Sequence, residues 1–317
     1  MRAATRGSAL ARWQTDLVLS RLGGGSAVVV ETTGDRVADV PIHEIGGRGV
    51  FVKEVQAAVL DGRADIAVHS AKDLTSTPTD GLVIAAFLER GDPRDALVGC
   101  TLAALPAGAL VGTGSVRRRA QLAWLRPDLS FGDLRGNIDT RLRKAAGFDA
   151  VVMAYAALER LGYTDRVAEA IDPAVLTPQV AQGALAVECR ADDAETLAAL
   201  AALDHRPTRL AVTAERAYLA ELGGGCDLPV GAYATVADDG TITLTAMIAT
   251  LDGRSVLRDT RRGTDPEALG QSAATHLLPR AAAFSPAPAA GENALPPAPI
   301  AISPAPAAGE NAGGGPA

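Results

Sequence analysis

The chain has 317 residues, 48% of them hydrophobic, and a formal net charge of −7. Such a length supports two or three domains with an ample core, and the acidic balance excludes a surface organised around nucleic acid or an acidic membrane. Cysteine usage is sparse and odd (Cys100, Cys189, Cys226), which excludes a disulfide framework, and the four histidines show no metal-ligand spacing.

No apolar run approaches the roughly 20 residues of a membrane span. Met1-Arg2 leads straight into Thr5-Arg6-Gly7-Ser8 without a signal-peptide pattern. A cytoplasmic setting is expected, and with no apolar stripe evident for self-association, a monomer. A helical pattern comes first, with Leu10, Trp13, Leu17 and Val18 sharing a face. Val28-Val29-Val30-Glu31 reads as a strand, followed by the polar loop Thr32-Thr33-Gly34-Asp35. Ile45-Gly46-Gly47-Arg48-Gly49 is too glycine-rich for a regular element, so a mobile loop is expected there.

A helix with Phe51, Val55 and Val59 at helical spacing then leads to Ile66-Ala67-Val68, a buried strand ending in His69, Ser70, Lys72 and Asp73. Ligands collect at the carboxyl ends of strands in open α/β sheets, so a cation beside a carboxylate there marks a candidate site. The lysine can hold an anion while the carboxylate handles protons or a cationic centre. A solvated strand end with a local ion pair fits the same residues. Val83 to Ala86 is the next strand, and the alternation of strands and helices implies a mostly parallel sheet with crossovers.

Glu89 to Asp95 is charged and punctuated, and reads as a hinge into a second lobe. There Ala109-Leu110-Val111 forms a strand, Gly112-Thr113-Gly114-Ser115 a tight turn and Val116 to Leu125 a helix. The turn offers free N–H groups and a positive dipole end to an anion. A dinucleotide fingerprint needs a third glycine where Arg117 stands, so that reading is rejected. From Gly112 to Lys144 eight basic side chains (Arg117, Arg118, Arg119, Arg126, Arg135, Arg141, Arg143, Lys144) face three acidic ones (Asp128, Asp133, Asp139). A solvated helix face accommodates Arg119, Arg126 and Arg143. Arg117 and Arg118 instead oppose the helix dipole unless an anion compensates. Arg135-Gly136-Asn137, at a strand end, repeats the pattern. A ligand with several carboxylates or phosphates is the reading favoured here.

Ala150 to Met153 forms a further strand, with Arg160 on the helix after it. Thr177 to Gly183 crosses back to the first lobe, joining strand Ala184 to Glu188. Two lobes on a double hinge enclose a cleft. Pro207 opens a long helix through Leu222, with Leu210, Ala214, Ala217 and Leu219 available for packing. It ends in Gly223-Gly224-Gly225-Cys226, a loop loose enough to place one thiol. Strands near 230–236, 241–249 and 254–262, turned at Asp239-Gly240 and Asp252-Gly253, and a helix near 265–280 complete a small third domain. The expected organisation is α/β: lobe one at 1–90 and 184–203, lobe two at 91–183, a third domain with an antiparallel sheet at 204–282, and a disordered Pro/Ala/Gly-rich tail at 283–317.

Taken together, Thr5 to Ser8, Thr33-Gly34-Asp35, Gly46 to Glu54, Ala64 to Asp73, Arg90 to Asp95, Gly112 to Arg118, Leu134 to Asn137, Ala181 to Leu185, Glu188-Cys189-Arg190 and Gly224-Gly225-Cys226 resemble the porphobilinogen deaminase family, in its order, over residues 1 to about 280. The resemblance implies two periplasmic-binding-protein-like lobes and a transferase of tetrapyrrole (haem) biosynthesis. The family condenses four porphobilinogen molecules head to tail, releasing ammonia each time, then hydrolyses off hydroxymethylbilane. It also implies a covalent dipyrromethane cofactor, its thioether falling here on Cys226. By the same resemblance Asp73 is the catalytic carboxylate. Lys72, Ser115, Arg117 and Arg118 would hold the cofactor's carboxylates. Arg6, Ser8, Phe51, Arg135, Arg141, Arg160 and Gln182 would bind substrate or growing chain, Phe51 by stacking and Arg160 during elongation.

The sequence departs from the family at Glu44 and Arg48, where lysine is frequent, and at Ala157 and Ala181, where glycine is usual; the alanines are expected to tighten packing. Cys100 and Cys189 read as small buried fillers, and His69 as a satisfied structural histidine rather than a base. A non-enzymatic two-lobed anion binder, or an inactive relative, fits the cleft and the hinge too. It leaves the Gly-Gly-Gly-Cys loop, Asp73 and the third domain unexplained.

Overall fold

The computed structural model describes residues 1–36, 49, 51–223 and 229–284, so the readings of Glu44, Arg48, Cys226 and the tail from residue 285 lie outside the described residues. The chain begins with β1 (Arg2–Arg6), α1 (Ala9–Arg21) and β2 (Ser26–Val30), then a single turn α2 (Thr33–Arg36) and α3 (Lys53–Leu60). Strand β3 (Ile66–Ser70) and a 3-10 turn (Ala71–Asp73) lead to β4 (Leu82–Phe87). A second run comprises β5 (Asp95–Val98), β6 (Leu110–Gly112), α4 (Val116–Leu125), β7 (Ser130–Gly132), α5 (Ile138–Lys144), β8 (Ala150–Ala154), α6 (Tyr155–Arg160) and β9 (Val167–Ile171). Strand β10 (Leu185–Arg190), α7 (Ala194–Ala201), α8 (Arg206–Glu221), β11 (Val230–Val236), β12 (Ile242–Ala249), β13 (Val256–Gly263) and α9 (Pro266–Ala282) follow.

Three sheets result. The first is ordered β2-β1-β3-β10-β4, the second β7-β6-β8-β5-β9, and the third β11-β12-β13. The first two are mixed rather than mostly parallel. β1 runs parallel to β2 and β3, and β6 to β7 and β8, but β10 is antiparallel to β3 and β4, and β5 to β8 and β9. The reason is the double crossing. β5 enters the second sheet directly from the first, and β10 returns the same way, so neither has a crossover helix to restore its direction. β5 was not foreseen, because the sequence around Asp95 reads as hinge punctuation, and β9 was not read as a strand either.

The burial pattern follows the sequence period. On β12 Ile242, Leu244 and Ala246 pack beneath α8 and α9, while Met247 and Ala249 meet Ala120 of α4, the alternation a sheet covered on both faces requires. α9 is started by Asp265, whose carboxylate accepts from the backbone of Glu267 and Ala268. It lies close enough to α8 that a Cβ on Gly270 would fall 2.3 Å from the Ala214 carbonyl oxygen. α1 buries Gln14 and Thr15 along with Val18 and Leu19, leaving Trp13 37% exposed, so its inward face is more polar than its apolar spacing implied.

The two crossings run side by side. The Gly91 amide donates to the Gly183 carbonyl (3.1 Å), and Arg90 Nε to that of Gln182 (2.9 Å). Buried Glu215 of α8 ties both crossings to the third sheet, accepting from Arg90 Nη1 (2.6 Å) and from the amides of Ala181 (2.6 Å) and Ala234 (2.8 Å). Ala181 sits at φ 60°, the left-handed region. There a glycine would be relaxed and an alanine costs about 1 kcal/mol, so its effect is backbone strain as well as packing.

Candidate functional site

The parallel strands of the first two sheets deliver the candidate residues from their carboxyl ends. β1 leads to Arg6 and Ser8, β3 to Lys72 and Asp73, β6 to Ser115, Arg117 and Arg118, and β7 to Arg135 and Arg141. The turn carrying Lys72 and Asp73 is pinned by the return crossing. The Ala71 amide donates to the Ala184 carbonyl (3.0 Å), and Gln179 Nε2 to that of Lys72 (3.3 Å). On its other side Gln14 Nε2 donates to Ser70 Oγ (2.9 Å), a contact that the apolar reading of α1 missed.

Electrostatics show that residues of the two sheets meet. Desolvation lowers the half-buried Lys72 ammonium from 10.5 to about 8; Asp73 and Asp95 oppose that shift, while Arg118 and Arg141 add to it. Arg141 is lowered to about 10, first by burial, then by Arg118 and Arg135, with Asp73 opposing. Lys72 and Asp73 therefore share one electrostatic neighbourhood with Arg118, Arg135 and Arg141. Arg141 is held by its Nε donating to the Gly136 carbonyl (2.8 Å), and Asn137 caps α5 by accepting from the Thr140 amide (2.9 Å).

The anion that Arg117 and Arg118 require at the start of α4 is supplied from within. Asp95 is wholly buried. It accepts from Arg117 Nη2 (2.7 Å), Arg118 Nη2 (2.7 Å) and Nε (3.0 Å), and Gln182 Nε2 (2.9 Å). Burial alone would raise the Asp95 carboxyl. The charges of Arg117 and Arg118, with hydrogen bonds from Arg118 and Gln182, outweigh burial and hold it well below the usual carboxylate range. Because β5 is antiparallel, its first residue lies where its neighbours end, in register with Ala154 of β8. Reading Asp95 as part of a hinge could not reveal this. Two guanidiniums against one carboxylate still leave the group net positive.

Ser8 and Ser115 are helix caps, accepting from the amides of Ala11 (3.3 Å) and Arg118 (3.4 Å). Arg6 lies 4.2 Å over the Phe51 ring, which rests against Gly34. Gln182 spans to Asp95 from the return crossing and also donates to the Pro93 carbonyl (2.7 Å). Arg160 stands at the crossings, donating to the Gly183 carbonyl (2.6 Å) with Trp13 beneath it at 5.8 Å. His69 is 5% exposed, with Nε2 3.0 Å from Glu188 Oε2, in keeping with a structural histidine. Cys189 is buried, which pushes its thiol up to about 11; Cys100 is only half-buried.

The Lys72 shift carries a prediction. Protein without a bound anion loses this charge as pH rises through about 8, so its affinity for a carboxylate ligand should fall between roughly pH 7 and 9. In Lys72→Arg that fall should disappear, as binding titrations across the range would show. For folding the sign is opposite to that of a stabilising pair. The folded state gives up this proton more readily than the unfolded chain, so the charged lysine costs stability below about 8, and that cost fades as pH climbs toward 10.5.

Comparison with known proteins agrees along the chain. The family model described as porphobilinogen deaminase, dipyromethane cofactor binding domain, matches residues 1–198, and that for the porphobilinogen deaminase C-terminal domain matches residues 209–279. The porphobilinogen deaminase of Brevibacillus brevis is 47% identical over 292 residues, covering 89% of this chain and 94% of that protein. That of a Roseiflexus species is 51% identical over 287 residues, covering 86% and 94%. Among solved structures, a periplasmic His/Glu/Gln/Arg/opine family-binding protein from Silicibacter pomeroyi aligns with a TM-score of 0.33 and 14% identity, over 64% of this chain and 88% of that one. Among the described residues, no helix is long and apolar enough to cross a membrane.

Proposed function

This chain belongs to the porphobilinogen deaminase family, and on that premise we propose that it condenses four porphobilinogen molecules head to tail with loss of ammonia and releases hydroxymethylbilane. The observation that carries the reading is that Asp73 acts on both Lys72 and Arg141, within a charge cluster that Arg118 and Arg135 extend where the two sheets meet. Each pyrrole of the substrate bears an acetate and a propionate, so a growing chain needs a cationic bed. The condensation also makes pyrrole N–H groups positive and acidic, which calls for a fixed carboxylate.

The residues present fit a dipyrromethane. The cation cluster suits its carboxylates, and Arg117 Nε is a buried donor with no partner among the described residues. When bound, the group supplies the pyrrole terminus from which the product is built. Lys72, Arg117 and Arg118 would hold its carboxylates, with Ser115 fixing the start of α4. Arg6, Ser8, Arg135, Arg141 and Gln182 would position the incoming substrate and the lengthening chain, Phe51 offering a flat face beside Arg6. Asp73 would hold and return the proton of the pyrrole N–H at the reacting carbon. Arg160, at the crossings, would act as the lobes adjust to a longer product. In this reading residues 1–90 with 184–203 form one lobe, 91–183 the second, and 204–282 the domain bearing the Cys226 tether.

Intact mass tests the reading. The purified protein should exceed its bare chain by one dipyrromethane, and Cys226→Ser should lose the excess. Equal masses that stay equal after porphobilinogen is added would instead favour a non-catalytic anion binder.

A further inference from the structure

A cavity lies away from the cation cluster, between the first sheet and the third domain. Its volume is about 540 Å³, within the range of small-molecule sites. One wall is β4 with the 74–78 loop; the other is α8 with the start of α9. Among the described residues none of Lys72, Asp73, Arg118 or Arg141 lines it, yet its wall begins at Leu74, the residue after Asp73.

Its chemistry is selective. Leu82, Ile84, Phe87 and Ala217 make the lining largely apolar. Of its charged groups, Glu188 is engaged by Gln56 Nε2 (2.9 Å) and by His69, and Arg209 by Asp204 (2.6 Å) and the Ala85 carbonyl (2.8 Å). Glu221 and Glu267 are exposed. Arg216 differs. Its one hydrogen bond among the described residues goes from Nη2 to the Thr75 carbonyl (2.7 Å); burial pushes its guanidinium below the ordinary range, and the charge of nearby Glu188 opposes that shift without a hydrogen bond to it. A guanidinium has five N–H donors, so an edge suited to a carboxylate is left over.

We propose that this cavity binds a small organic anion with one carboxylate on a flat apolar body, held by Arg216, and that occupancy slows turnover through the 74–78 loop. A single underused cation beside Glu188 disfavours a ligand with several carboxylates, so porphobilinogen and its oligomers are not the occupants. The binding stands on the cavity alone; the effect on turnover rests on Asp73 being catalytic.

The test uses the full-length, cofactor-loaded protein and 2-naphthoate as probe, with 2-naphthylmethanol as its neutral counterpart, by isothermal titration calorimetry. The carboxylate should bind at least about tenfold more tightly than the alcohol. Arg216→Gln should erase that preference, and Ala220→Phe, which fills the cavity from the edge of α8, should abolish binding of both. Saturating 2-naphthoate should lower kcat without raising KM. Absence of binding at millimolar probe, binding indifferent to both variants, or displacement by porphobilinogen would overturn the site. Binding with kcat unchanged would overturn the coupling to the loop while leaving the reading of Asp73 untouched.

Discussion

Asp73→Asn is expected to lower kcat by roughly 10³-fold with little change in KM or in the thermal midpoint. The Asp73 side chain accepts no hydrogen bond from any described residue, so no hydrogen bond of the fold is lost with its charge, and asparagine occupies nearly the same volume. What asparagine cannot do is take a proton or balance a positive pyrrole nitrogen. Removing the carboxylate also removes an interaction that raises Lys72, so the lysine in the variant should lose its proton at lower pH than in the parent. Assays near pH 7 rather than above 8 therefore separate the loss of chemistry from a loss of anion binding. Turnover within about threefold of the parent would remove Asp73 from the mechanism.

Much of this arrangement is legible in the sequence, and the exceptions share a cause. Helix α4 has the bounds expected from the tight turn before it, and the structure shows Ser115 of that turn capping it. The third sheet was legible from Asp239-Gly240 and Asp252-Gly253, which mark its turns. The excess of arginine after β6 was also visible, but a sequence counts charges without pairing them. Asp95 is twenty-two residues from Arg117, on a strand the sequence reading did not recognise, and only the antiparallel entry of β5 brings the two together. Gln14 was invisible for the opposite reason. A buried polar residue on a helix looks like a solvent-facing one until its partner, Ser70 of β3, is known. Glu215 likewise looks like an ordinary surface position of α8, although it is wholly buried among Arg90, Ala181 and Ala234. Local propensity and period were therefore guides to most elements, β5 and β9 excepted, whereas the polar groups that join one sheet to another depend on contacts distant in sequence.

Asp95→Ala tests the most consequential of those contacts. The carboxylate bridges two guanidiniums, and Arg117 and Arg118 are 3% and 6% exposed. Each also donates to a backbone carbonyl, Arg117 to Thr177 (2.6 Å) and Arg118 to Val152 (3.0 Å). Deleting Asp95 strands both charges in a poorly solvated site and frees Gln182 from the second sheet, which should cost about 3–5 kcal/mol. Calorimetry should register this as a thermal midpoint lower by roughly 5 to 9 °C. The pH dependence gives an independent check. The folded carboxyl titrates below its unfolded value of 3.8, so the stability it contributes is fully present above that value and is lost as pH falls through the folded one. The parent and Asp95→Ala curves should therefore run apart at neutral pH and converge in acid. Curves that stay equally separated down to the acid limit would mean that Asp95 acts through packing, and that the positive charge of Arg117 and Arg118 is compensated elsewhere.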